Sequence, residues 1–326
     1  MSKSRNFFVA KVAGGATAQC LGLLSALYLS REQKREFKIQ YFPTSTGTFW
    51  PFQIGFLLLE TEILDVEATI RGLPTETKSL KYGKVIDNHP LSRRGLNYEK
   101  ILVLLRRLNL EVPLQKARGQ FPIESSNKKL LKVSKFAKSI SGGYPPMIDA
   151  GVFQEMDARF KRAGRRSPFS IDKDSGIKNY AVFHIRIGDK RSSFTNPADF
   201  GGDGIIDPNA LSEVLARQEV NVGLRIFVIS DEPEVARELL KSENINAEIN
   251  PSSGDIWDDL YFVSQAALFI GSWSQVSQLA AACVINNGGK AYYPSTTHNL
   301  KTIPWFIEGL NFYEPKFLPR SHPIYD

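Results

Sequence analysis

The sequence predicts an α/β protein of two domains, with parallel strands separated by helices. Three observations carry this expectation. Short apolar runs bounded by Gly, Pro, Asp or Ser alternate with segments of helical spacing. The length, 326 residues, suits about two domains. Polar and charged residues gather just after several strands, where parallel sheets bind their ligands.

Residues 7–13 are an apolar run that stops at Gly14-Gly15, a strand followed by a turn. Residues 16–34 carry Leu21, Leu24, Leu27 and Tyr28 on one helical face. Residues 37–42 form a second strand, ended by Pro43, so the chain opens as βαβ. Residues 1–5 are basic, 7–18 are mostly apolar, and Ala16-Thr17-Ala18 resembles a leader cleavage site. Lys11 interrupts that apolar core and the helical pattern runs on to Tyr28. A buried strand entering a helix is therefore the reading, with a secretory leader as the alternative. Residues 98–108 have helical spacing. Residues 139–176 hold Gly142-Gly143, Pro145-Pro146 and a basic cluster from Lys161 to Arg166, and read as an interdomain connection.

The second half is more regular. Strands are expected at 180–187, 225–229, 268–270 and 290–293, and helices at 208–218, 233–241, 255–266 and 273–284. Asp207-Pro208 is a helix start, an N-cap acid followed by proline at the first helical position. Strands alternating with helices imply a parallel sheet covered on both faces.

Composition narrows the function classes. Apolar residues are 42% and charged residues 23%, as in ordinary globular proteins, which excludes collagen, coiled coil and wholesale disorder. No apolar run reaches the roughly 18 residues of a spanning helix. Cys20 and Cys283 are too far apart in sequence for a metal motif and too few for a disulfide framework, so a reducing, cytoplasmic setting is expected. The net charge of +7 is local: residues 71–138, bounded by Arg71 and Lys138, hold 16 Lys or Arg against 5 Asp or Glu. Solvated helix faces explain this most simply; a contact to an anionic membrane surface or acceptor is the alternative. No zinc, helix-turn-helix or RNP pattern supports nucleic-acid binding.

Four segments after strands carry candidate chemistry. The first is His184-Ile185-Arg186-Ile187-Gly188-Asp189-Lys190. Read as strand, it puts 184, 186 and 188 on one face, and His and Arg at alternate positions break the apolar pattern that a buried parallel strand requires. The arginine fork suits phosphate oxygens. A structural ion pair with a hydrogen-bonded histidine is the plainer reading. The second is Ser230-Asp231-Glu232-Pro233-Glu234. Asp231 with Glu234 fits a capping box, and the acids also suit a ribose or a base. The third is Asp258-Asp259 followed by Gly271-Ser272-Trp273-Ser274-Gln275-Val276, a small hydroxyl turn into a helix that suits an anion, or a simple cap at Ser272. The fourth, Gly14-Gly15-Ala16-Thr17-Ala18-Gln19, matches neither the GxxxxGK[ST] nor the GxGxxG pattern and is otherwise a tight turn.

His184-x-Arg186-x-x-Asp189-Lys190, Ser230-Asp231-Glu232-Pro233 and Gly271-Ser272-x-Ser274-Gln275-Val276 stand in this order at successive strand ends. In that ordered set residues 180–294 resemble the GDP-fucose-dependent fucosyltransferases. The likeness is greatest to the α1,6-fucosyltransferases, with the α1,2- and protein O-fucosyltransferases as cousins. The resemblance implies an α/β fold of GT-B type, two Rossmann-like domains facing across a cleft. The expected domains are an acceptor-side domain at 1–150, a GDP-sugar domain at 151–300, and a segment at 301–326 that packs back on the first domain. The resemblance implies Arg186, His184 and Asp189 as the catalytic group, with Arg186 on the β-phosphate. It implies donor contacts from Gly14, Gly15, Lys190, Asp231, Glu232, Asp259, Ser272, Ser274 and Gln275, with Asp259 reading the guanine edge. It implies an inverting transfer of fucose from GDP-fucose to a glycan hydroxyl, with no metal and no other cofactor.

Two departures bear on acceptor chemistry. Phe194 stands where the α1,6 enzymes carry a glutamate, a candidate general base, and Ala18 replaces the asparagine of related glycine turns. Asp199, Asp203 and Asp207 are the substitute candidates for the base. Asp172-Lys173-Asp174 spells DxD, the metal motif of another glycosyltransferase fold, within a polar segment that reads as loop. The alternatives are a transferase for another nucleotide sugar and a GDP- or glycan-binding module without turnover.

Overall fold

Two wholly parallel sheets organise the chain in a computed structural model that describes residues 7–12, 14–41, 53–63, 139–141, 149–170, 177–192, 204–217, 224–250, 255–294, 309–319 and 321–325. The helix expected at 98–108, the basic stretch 71–138, the Asp172–Asp174 triplet, Phe194, Asp199 and Asp203 lie outside the described residues. The chain divides into two compact units, Met1–Val152 with Pro304–Phe306, and Phe153–Ile303 with Ile307–Asp326.

The first unit holds a three-stranded sheet in the order β2-β1-β3. Strand β1 (Phe7–Val12) leads through Gly14 and Gly15 into helix α1 (Ala16–Gln33), and β2 (Glu36–Tyr41) follows. Strand β3 (Ser139–Ser141) pairs on the other side of β1, with Val9 opposite Ser139. Residues 16–27 of α1 are all buried. The single apolar face read from Leu21, Leu24 and Leu27 is therefore too narrow, because Cys20, Leu23 and Ala26 are buried as well. Burial on every side over these residues makes this stretch a core helix, with polar Thr17, Gln19 and Ser25 buried as well.

Helix α2 (Ala150–Arg162) starts on Asp149, whose Oδ1 accepts the Val152 amide at 2.8 Å. The expected connection at 139–176 therefore contains a strand and a helix, not only loop. Its basic cluster is used locally. Lys161 pairs with Asp157 at 2.7 Å, Arg165 pairs with Asp255 at 2.9 Å, and Arg166 lies over the Tyr261 ring.

Among the described residues the second unit holds six strands: β4 (Lys178–Ile185), β5 (Arg225–Ser230), β6 (Glu248–Ile249), β7 (Ala266–Ile270), β8 (Lys290–Pro294) and β9 (Leu310–Tyr313). Their order is β6-β5-β4-β7-β8-β9. Numbered within the unit, that is 3-2-1-4-5-6, the doubly wound order whose direction reverses between its first and fourth strands. Here the reversal falls between β4 and β7.

Five helices are described in this unit. They are α3 (Gly188–Ser192), α4 (Pro208–Ala216), α5 (Pro233–Ser242), α6 (Ile256–Ser264) and α7 (Gln275–Asn286). Alternation along β4 decides which helix meets which side chain. Ala181, Phe183 and Ile185 point into a core with Ala210 and Leu211 of α4 and Leu239 and Leu240 of α5. Tyr180 and His184 point to the opposite face. There Tyr180 stacks on Phe262 of α6 at 4.9 Å, and His184 meets α7. Asp207 caps α4 by accepting the Asn209 amide at 2.8 Å, as its position before Pro208 predicts. Among the described residues no helix is long and apolar enough to cross a membrane.

The residues described at 309–319 and 321–325 belong to the second unit. Strand β9 extends the second sheet beside β8, Phe317 bridges Ile206, and Leu318 and Ile324 join the α4/α5 core. The physical reason is a free parallel edge on β8 and an apolar tail that fills this core. Buried Tyr313 Oη donates to the Gly271 carbonyl at 2.6 Å, so β9 also braces the turn after β7. Replacing Tyr313 with Phe strands that buried carbonyl. The expected result in urea unfolding is a loss of about 1–3 kcal/mol of stability with the fold retained.

Candidate functional site at the sheet reversal

Two strand ends meet where the strand order reverses. Strand β4 closes at Ile185, so Arg186 and Gly188 lie beyond the regular alternation, and the single face expected for 184, 186 and 188 is corrected. Strand β7 closes at Ile270 and runs through Gly271, Ser272 and Trp273 to Ser274, the N-cap of α7.

His184 is buried at the next-to-last position of β4, where an apolar residue is the norm. Its Nδ1 lies 2.6 Å from Ser277 Oγ and 3.3 Å from Ser272 Oγ. Ser277 Oγ in turn accepts the Ser272 amide at 2.9 Å. One hydroxyl in the first turn of α7 thus ties the histidine to the loop after β7. Burial, with the charge of Arg186 adding to it, lowers the His184 pKa from 6.5 to about 3, so the ring is neutral near pH 7.

The same loop carries an anion-receptive helix start. Ser274 Oγ accepts the Val276 amide at 3.1 Å and caps α7. The cap expected at Ser272 therefore belongs to Ser274, while Ser272 serves the histidine. The remaining first-turn amides, Gln275 among them, have no acceptor within the helix, which is the geometry that attracts phosphate. Gly271 is required by close approach. A Cβ there would sit 2.7 Å from Ser277 Cβ, so a larger residue would push α7 off the strand end.

On the β5 side, Asp231 Oδ1 accepts the Ile187 amide at 2.8 Å, which holds the segment after β4. Gly188 admits that carboxylate, since a Cβ there would lie 2.9 Å from Asp231 Oδ2. Glu232 is the N-cap residue of α5 and pairs with Arg191 at 3.1 Å. The capping box expected from Asp231 and Glu234 does not form. Asp231 is spent on Ile187, and Glu234 pairs with Arg237.

The remaining expected residues are distributed as follows. Arg186 is half-buried beside this loop pair, and Asp189 and buried Lys190 belong to α3. Asp259 is half-buried in the first turn of α6, whose cap is Asp255. Asp207, a candidate base, commits Oδ1 to capping α4. In the first unit Gly14 has φ +81, a conformation that favours glycine, and its carbonyl accepts Gln19 Nε2 at 2.8 Å. Gln19 Oε1 accepts the Gln53 amide at 2.9 Å, so this side chain holds the turn and a distant segment together. The residue not anticipated is Ser277. The signal for it was the one hydroxyl in the mostly apolar run 276–284, at the end of the helix nearest His184.

No protein-family model matches the sequence, and no curated protein matches it. Solved structures do match in part. The E. coli heptosyltransferase WaaC with ADP has a TM-score of 0.46 at 14% identity, over 95% of this chain and 93% of that one. The fucosyltransferase NodZ from Bradyrhizobium has a TM-score of 0.43 at 12% identity, over 86% and 94%. POFUT1 in complex with GDP-fucose has a TM-score of 0.40 at 14% identity, over 96% and 98%.

The histidine environment predicts a pH effect. The folded pKa lies below the unfolded one, so the stabilisation is complete above pH 6.5 and is lost as pH falls toward 3. Between pH 7 and pH 5 the wild type is expected to lose about 2 kcal/mol more stability than His184→Gln in urea unfolding. Parallel pH profiles for the two proteins would contradict the assigned burial.

Proposed function

We propose that this chain is a nucleotide-sugar glycosyltransferase that moves fucose from GDP-fucose to a hydroxyl of a glycan acceptor. The observation that carries this reading is the convergence at the sheet reversal. A forked cation at Arg186, a neutral buried histidine and the hydroxyl-rich start of α7 stand at the ends of adjacent strands. Doubly wound sheets bind their ligands at that place. The motif order shared with GDP-fucose-dependent fucosyltransferases supports the same reading.

In the proposed reaction the acceptor oxygen attacks the anomeric carbon from the face opposite the diphosphate. The bond to the β-phosphate breaks, GDP leaves, and the acceptor proton passes to a base. Positive charge grows on the sugar and negative charge on the leaving phosphate. Arg186 and the first-turn amides of α7 would stabilise the leaving charge, with Lys190 adding to the field. This assigns to protein cations the neutralisation that a metal supplies in other transferases. Asp259 would read the guanine edge, and Asp231 and Glu232 would border the ribose and sugar. Removing one preorganised donor of this kind costs about 10²–10³ in rate.

A binding module without turnover is the second reading. It is favoured by Phe194 at the position of the family glutamate and by the capping role of Asp207. The two separate on one assay: GDP release from GDP-fucose that requires a glycan acceptor supports transfer, and binding without release supports the module. GDP-fucose is expected to raise the melting temperature more than UDP- or ADP-sugars. Arg186→Ala is expected to fold normally and to lose at least about 10²-fold in transfer rate. A folded Arg186→Ala protein with near-normal transfer would overturn the assignment.

A further inference from the structure

We infer that Ser277 fixes His184 as the tautomer protonated at Nε2, which makes the ring a neutral hydrogen-bond donor to the diphosphate and excludes it as the base. One proton decides the tautomer. Among the described residues the Ser277 hydroxyl has two partners, the Ser272 amide and His184 Nδ1. The amide can only donate, so it takes a lone pair of Oγ. The hydroxyl's own proton then has Nδ1 as its acceptor, at 2.6 Å. With the reverse tautomer, Nδ1–H would donate to Oγ and leave the buried Ser277 proton without an acceptor, which costs about 1–3 kcal/mol. Burial beside Arg186 keeps the ring from carrying both protons near pH 7. The single proton therefore sits on Nε2.

The Nε2 edge is the one left for a ligand. Among the described residues the hydrogen bonds of the ring run through Nδ1, and Nε2 has no protein partner. An N–H there can donate to a phosphate oxygen and cannot accept the proton of an acceptor hydroxyl. Ser277 acts through the histidine as a positioning residue.

The donor role rests on the nucleotide-sugar reading; the tautomer does not. Long-range ¹H–¹⁵N NMR of ¹⁵N-histidine-labelled full chain at pH 7, with the His184 signals assigned by their loss in His184→Gln, reads the tautomer directly. The expected spectrum has an unprotonated, hydrogen-bonded Nδ1 and a protonated Nε2. Ser272→Ala is expected to keep that pattern, and Ser277→Ala to replace it with mixed tautomers and to weaken GDP binding about tenfold. A protonated Nδ1 or a charged ring in the wild type overturns the inference, even where Ser277→Ala fails to fold. An unchanged tautomer in folded Ser277→Ala does the same. Altered tautomers with unchanged GDP affinity overturn the donor role alone. A wild type that binds no nucleotide overturns the function proposed above and leaves the tautomer standing.

Discussion

The second unit depends on how one polar side chain is accommodated in the middle of its sheet. His184 occupies a buried position on the central strand, where a charged ring would be costly and an unpaired one nearly as costly. The solution is a single hydroxyl, Ser277, at the start of α7. Because Ser277 also holds the Ser272 amide, satisfying the histidine and shaping the loop after β7 become one event. Gly271 lets the helix come close enough for this, and Tyr313 holds the Gly271 carbonyl from the far edge of the sheet. A polar defect in the core is thereby converted into a fixed geometry at the strand ends.

A second brace lies on the other side of β4. The Asp231 carboxylate reaches from the end of β5 to the Ile187 amide, over a glycine that leaves it room. The segment carrying Arg186 is therefore held through its following amide, while the loop after β7 is held through Ser277. One brace comes from the first turn of α7 and the other from the loop between β5 and α5. Preorganised donors at such a place contribute most to reactions in which charge develops on a leaving phosphate.

Much of this was legible in the sequence, and the parts that were not have identifiable causes. The apolar strands β4, β5 and β7 and the helices between them follow from the sequence pattern, because their apolar residues are buried or half-buried. Strands β3, β6 and β9 escaped notice. Ser139-Ile140-Ser141 and Glu248-Ile249 are too short and polar to register, and β9 gains its identity only from the edge of β8. The position of Arg186 was legible, but its face was not, since the strand stops one residue earlier. Asp231 and Glu234 imitate a capping box because local spacing cannot reveal that a backbone amide 44 residues away claims the first carboxylate. Ser277 was invisible for the same reason. A serine in an apolar helix looks incidental until the strand it faces is known to carry a histidine.

The central claim is that a diphosphate sits between the Arg186 guanidinium and the first turn of α7. The most direct test is a crystal structure of the full chain with GDP-fucose or GDP bound. The account predicts β-phosphate oxygens within about 2.7–3.2 Å of the guanidinium and of amides at the start of α7, with His184 Nε2 facing the nucleotide. A nucleotide seated elsewhere, or an arginine turned away into a protein carboxylate while the ligand is present, would contradict it.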